Sequence, residues 1–207
     1  MMRAAGLCWV ASLLYFPVSL VVAMQWDPAY SVRDNFISDL AVTSCGEFPQ
    51  RGGVCSPWHA LMNVNLFVVG LFIAAGAGLW FWRATGRARI PLAGFVIAGL
   101  ANSLIGIFPL DADPGPHTAA ATTFLIVHVL SMIGLAVIFR AHRTFVLWTG
   151  LWVAVSLIGT AALQTGSHFG LGIGTSERLA LDVLAIWRAG VGLALIRGIT
   201  LGERRLT

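Results

Sequence analysis

The sequence predicts an all-α polytopic membrane protein, a six-helix transmembrane bundle with a short amphipathic helix in its first outer loop. Three observations predict it. Of the 207 residues, 57% are hydrophobic and only 11% are charged, against about 25% charged in a soluble domain. The mean hydropathy of +0.82 excludes a water-soluble surface. Six apolar runs, at 6–24, 58–82, 90–109, 118–139, 145–164 and 179–196, each approach the roughly 20 residues that a spanning helix needs. Little chain remains beyond them, so residues 1–207 read as a single six-span membrane domain.

The first span follows a short basic start, Met1-Met2-Arg3, as a secretory signal would. Its apolar run is long for such a signal, and Val22-Ala23-Met24-Gln25 offers no small-x-small cleavage site. It reads as a retained helix. All 13 basic residues are Arg, and the isoelectric point is near 9.6. No basic stripe interleaved with aromatics accompanies that charge, so nucleic acid is set aside as a partner. Instead the arginines mark topology. Arg3, Arg83, Arg87, Arg89, Arg140, Arg143, Arg197, Arg204 and Arg205 fall on one side of the spans. Arg33, Arg51 and Arg178 fall on the other. The positive-inside rule then places both termini in the cytoplasm of a multi-pass cell-membrane protein, the inner membrane of a cell that has two.

The outer loop at 25–57 carries Cys45 and Cys55, with Gly46, Gly52 and Gly53 between them to turn the chain. An oxidising exterior favours a disulfide there. A metal pair is the alternative, but no CxxC spacing exists and no His lies between the two. Earlier in the loop, the segment 34–40 is patterned. In a helix, Phe36, Ile37 and Leu40 would share one face and Asn35, Ser38 and Asp39 the other. Such a helix would either lie in the membrane interface or close its polar face over the bundle's outer mouth.

Polar side chains inside the spans are informative because lipid makes them expensive. His59 and Asn63 lie one helical turn apart in the second span. In the third, Gly94, Ala98, Asn102 and Gly106 recur every four residues, a spacing that lets helices approach closely and makes Asn102 packing glue. A rigid turn holding Pro109, Pro114 and Pro116 then presents Asp111, Asp113 and His117 at the outer mouth. His128 lies about 16 Å deeper than His117 on the fourth span. The last span opens with Glu177-Arg178, and Arg178 can pair with Asp182 one turn on. Arg188 sits mid-membrane, where a charge must face a polar interior, paired with a carboxylate, carbonyl or anionic lipid group, any protein partner lying on another helix.

Tyr30 with Asn35-Phe36-Ile37-Ser38-Asp39-Leu40, His59-Ala60-Leu61-Met62-Asn63, Gly106-Ile107-Phe108-Pro109 with Asp111 and His117, and Glu177-Arg178 together resemble the domain-of-unknown-function 998 family. The resemblance covers essentially the whole chain. It implies a six-span prokaryotic membrane protein and carries no activity with it. A weaker likeness is to zinc-dependent membrane hydrolases of the alkaline ceramidase and adiponectin-receptor type. Their paired His-x-x-x-His ligands have no counterpart here.

Two functions follow from different classes. The first is a hydrolase or transferase acting on a lipid-borne group at the outer leaflet. His59 or His117 would be its general base, Asp39 and Asp111 would orient that base or hold a divalent metal such as zinc, and Ser38 would be a nucleophile or a substrate contact. Asn35, Asn63, Glu177, Arg178 and Arg188 would contact the substrate, with the arginines on an anionic group. The second is a non-catalytic lipid-binding or membrane-assembly protein whose polar cluster is a hydrogen-bonded plug. In both, membrane lipid is the partner. A transporter ranks third, because the spans read as unbroken and without an inverted repeat. The two leading readings differ in geometry: a plug satisfies its polar atoms internally, whereas a working site leaves some of them directed at a cavity.

Overall fold

The computed structural model describes residues 1–26, 28–48 and 51–199, so Arg204 and Arg205, used above for orientation, lie outside the described residues. Six helices are long and apolar enough to cross a membrane. The first span is made of α1 (Met2–Ala11), a 3-10 turn (Ser12–Leu14) and α2 (Tyr15–Ala23). The others are α3 (His59–Arg83), α4 (Arg89–Ile107), α5 (Pro114–Ile138), α6 (Arg143–Thr165) and α7 (Ile173–Ile196). A two-stranded antiparallel hairpin, β1 (Gly46–Phe48) and β2 (Gly52–Val54), is the one sheet among the described residues, with Gly46 opposite Val54.

The expectation of unbroken spans is corrected in the first. Pro17 has no N–H to offer the carbonyl of Leu13, and its ring crowds the preceding turn. The backbone there tightens into the 3-10 turn, and Ser12 Oγ donates to the Trp9 carbonyl at 2.7 Å. Irregular backbone at membrane depth is tolerated only where protein buries it, and Ser12 is fully buried. Span α7 starts earlier than hydropathy alone suggests, because its polar first turn is held by the loop that covers it.

Helix ends follow local chemistry. Pro114 occupies the first turn of α5, where a missing N–H does no harm. Gly166 ends α6 in the left-handed conformation at φ 67°.

The helices close into a ring in which α3 packs on α4, α4 on α5, α5 on α6, α6 on α7, and the first span fills the gap between α7 and α3. Small residues set the tightest contact, between α3 and α4. A Cβ on Gly70 would stand 2.3 Å from Ser103 Oγ and 2.4 Å from the Gly99 carbonyl. Asn102 acts as the expected glue, with Nδ2 donating to the Leu66 carbonyl at 2.7 Å. Aromatic rings fill the centre of the bundle. Phe95 stacks on Trp187 at 5.4 Å and meets Trp9 edge-on at 5.3 Å. The Trp9 and Trp187 indoles donate to the Ile73 carbonyl and to Thr149 Oγ1, each at 3.1 Å, so neither ring leaves a polar atom unpaired. Leu71, Trp82, Ile90, Leu130, Val137 and Leu147 face outward, a belt suited to lipid.

Candidate functional site

The loop after the first span folds into a lid across one end of the bundle. Cys45 and Cys55 are disulfide-bonded and clasp the hairpin. From the hairpin, Arg51 reaches back into the loop. Its guanidinium pairs with Asp39, donates to Ser38 Oγ at 3.0 Å and lies 4.0 Å over the Phe36 ring. Asp39 is fully buried and also accepts the Phe36 amide at 2.8 Å. Burial pushes its carboxyl above the ordinary value, and the Arg51 charge only partly offsets that.

The segment expected as an amphipathic helix is shorter and differently exposed. It is a four-residue 3-10 helix, Ser38–Ala41, and it is buried on both sides. Ile37 and Leu40 face apolar neighbours, while Asp39 faces Arg51. The reason is local pairing: an Arg from the hairpin captures the carboxylate, so the polar side has no need of water.

Most of the remaining polar residues of the predicted outer cluster are also clamps. Asp111 accepts from four donors, the backbone amides and hydroxyls of Thr43 and Ser44, with the Thr43 amide shared between its two oxygens. Burial works to raise its carboxyl, but these bonds outweigh it and hold it below the ordinary value. Asn63 Nδ2 donates to the Ala41 carbonyl at 3.0 Å. His59 Nδ1 donates to the Ser56 carbonyl at 2.9 Å, and Ser56 Oγ donates to the Leu40 carbonyl at 2.7 Å. Asn35 Oδ1 accepts the Ser31 amide at 2.8 Å. Arg178 donates to the carbonyls of Val32, Asn35 and Gly174 and to the Tyr30 hydroxyl. Glu177 accepts the Ile37 amide. Gly172, at φ 86°, lets the chain pass so close to the lid that a Cβ there would lie 2.4 Å from the Arg33 carbonyl.

One expectation is corrected by this arrangement. Arg178 forms no ion pair with Asp182. Asp182 instead accepts from the Tyr15 hydroxyl at 2.9 Å, while lid carbonyls take the guanidinium. His59, Asp111, His117 and Asp39 each have a different partner: the Ser56 carbonyl, Thr43 and Ser44, the Phe108 carbonyl, and Arg51. Among the described residues, no three His, Cys, Asp or Glu side chains gather as metal ligands.

Beneath the lid lies a cavity of about 80 Å³. Ile37, Ser38 and Glu177 line it from the lid side, and Tyr15, Asp182, Asn102 and His117 line it along with the apolar Leu66, Val69, Ile105 and Phe124. His117 Nδ1 donates to the Phe108 carbonyl at 2.8 Å, which leaves Nε2 as the acceptor nitrogen. Arg188 lines the cavity about 16 Å below Glu177 along α7. Only 2% of Arg188 is exposed. Its Nη1 donates to His128 Nε2 at 3.3 Å, and its Nε reaches Ser12 Oγ at 3.5 Å. Among the described residues it forms no ion pair with a carboxylate. Its partners come from other helices, as expected, but they are an imidazole and a hydroxyl.

The family described as "Protein of unknown function (DUF998)" matches residues 9–194. The chain belongs to it. The match takes in both the lid and every residue that lines the cavity. No curated protein matches the chain. No solved structure matches it either. The DUF998 assignment carries no chemistry of its own, so chemistry rests on the geometry. Sequence reasoning passed over Arg51, Tyr15 and Ser12 in this DUF998 chain. Arg51 looked like an ordinary loop charge. Tyr15 and Ser12 are the polar groups of the broken first span, and Pro17 was the signal that could have found them.

Proposed function

We propose that the protein binds a lipid-borne group in the cavity between its spans, and that the cluster above the cavity is a structural lid, not a catalytic centre. One observation carries this reading. The lid's charged groups are taken up by one another and by backbone, whereas the Arg188 guanidinium faces the cavity with donors to spare. Apolar walls suit an acyl chain, and about 80 Å³ accommodates its polar end but not a whole lipid. The arginine distribution supports a lid at the outer leaflet and cytoplasmic termini.

Acid–base chemistry on the bound group is the second reading, and His117 favours it. Its fixed Nδ1–H bond presents Nε2 as a base at the same cavity that Ser38 lines.

Native mass spectrometry of the detergent-purified protein tests the binding reading. Ala121 also lines the cavity, so wild type should retain a lipid-derived ligand, and Ala121→Phe, which fills the cavity, should lose it while keeping its helical circular dichroism. Equal retention by both proteins, or none by wild type, would overturn the reading.

A further inference from the structure

We infer that the cavity recognises a carboxylate, seated on Arg188 at mid-membrane depth. The inference rests on the binding reading above and names the chemistry of the group bound. Arg188 is 2% exposed, yet it lines the cavity. A guanidinium carries five N–H donors in a planar fork. Only two of its nitrogens, Nη1 and Nε, have partners among the described residues, and both contacts are long, at 3.3 and 3.5 Å. Neither partner neutralises the charge. Arg cannot accept a hydrogen bond, so His128 Nε2 does, and an imidazole in that role is uncharged. An uncompensated charge at this depth is costly and calls for an anion.

The carboxylates on the cavity wall are held elsewhere. Glu177 takes the Ile37 amide at the lid, and Asp182 takes the Tyr15 hydroxyl. Asp182 stands six residues above Arg188 on α7, about 9 Å along the axis, too far for direct contact at the observed geometry. The free edge of the fork matches a planar carboxylate, which can take two parallel hydrogen bonds. Size points the same way: about 80 Å³ takes a carboxylate and a short stretch of chain, while a phosphodiester with two substituents overfills it. The carboxylate could belong to an acyl chain or to a free small acid, and Leu66, Val69, Ile105 and Phe124 provide an apolar wall for the former.

Isothermal titration of the detergent-purified protein with laurate, dodecanol and acetate tests the inference. Laurate should bind saturably at one site, at least tenfold more tightly than dodecanol. Arg188→Met should weaken laurate at least tenfold and weaken dodecanol far less. The laurate–dodecanol comparison needs no variant and stands even if Arg188→Met folds poorly. Equal binding of laurate and dodecanol overturns the carboxylate and leaves lipid binding in place. Binding of acetate as tight as laurate upholds the carboxylate seat and overturns the lipid-borne source. No binding of any of the three overturns both, and a water-bridged Arg188–Asp182 pair then balances the charge.

Discussion

Arg188 and His128, 60 residues apart in sequence, meet at 3.3 Å inside the bundle, and the imidazole accepts the hydrogen bond from the guanidinium. Phe95 and Phe124 pack edge-on against the same imidazole at 4.9 and 5.3 Å, so its ring is fixed by aromatic contacts. The pair therefore orients Arg188 without discharging it. This separates two polar systems in one bundle, a lid whose charges close on themselves and a deeper arginine whose charge does not.

The lid depends on Arg51. With the guanidinium gone, Asp39 is left buried beside an apolar ring, and removing one partner of a buried pair destabilises by about 3 kcal/mol. Arg51→Ala should speed amide hydrogen exchange across residues 36–42 and leave α6 unchanged. Unaltered exchange over 36–42 would mean that the pair does not hold the lid.

Asp111 makes the lid acid-sensitive. Its carboxyl is held below the ordinary value, so its stabilisation is complete above the unfolded-chain value of about 3.9 and is lost as pH falls through the lower folded value. Asp39, with its carboxyl raised, works in the opposite sense, since its contribution is full in acid and lost as pH rises. The Thr43 and Ser44 amides should therefore lose exchange protection below about pH 4. Asp111→Asn should lose about 1 kcal/mol of lid stability at neutral pH and flatten that acid limb. An acid limb of unchanged steepness in Asp111→Asn would assign the sensitivity to another group.

The α3–α4 contact should punish one methyl group and ignore another. Gly70→Ala places a Cβ 2.3 Å from Ser103 Oγ, whereas Gly78→Ala meets nothing within 4 Å. Overpacking of this kind costs about 1–3 kcal/mol, and a free helical Gly→Ala gains up to about 1 kcal/mol. Thermal midpoints of the two variants in detergent should move in opposite directions. Equal midpoints would contradict the close approach.

Six apolar runs were legible because a bilayer demands their length, and the Cys45–Cys55 pair was legible because it stands alone in the loop. The interior position of Arg188 followed from its depth on α7. What the sequence concealed was which acceptor each charge would choose. The i, i+4 rule paired Arg178 with Asp182, but three lid oxygens, the Gly174 carbonyl and a Tyr15 hydroxyl competed for the two groups and took them. Helical periodicity places side chains on faces, whereas loop carbonyls are placed by tertiary folding. The same limit hid Asp111, whose partners Thr43 and Ser44 lie 68 and 67 residues away. The four-residue stripe of α4 was also only partly legible. Successive members rotate by about 40°, so Gly94 meets Ser131 of α5 while Gly106 meets Asn63 of α3.

The division between a structural lid and a functional arginine is tested most directly by the thermal midpoints of Arg178→Met and Arg188→Met, measured side by side in the same detergent. Arg178→Met removes a charged donor from three lid acceptors and the Gly174 carbonyl of its own helix, and should lower the midpoint by about 6 °C or more. Arg188→Met exchanges an uncompensated buried charge for an apolar side chain and should leave the midpoint within about 4 °C of wild type. A larger fall for Arg188→Met than for Arg178→Met would contradict the account, since it would make Arg188 a structural element of the bundle and remove the reason to place a ligand on it.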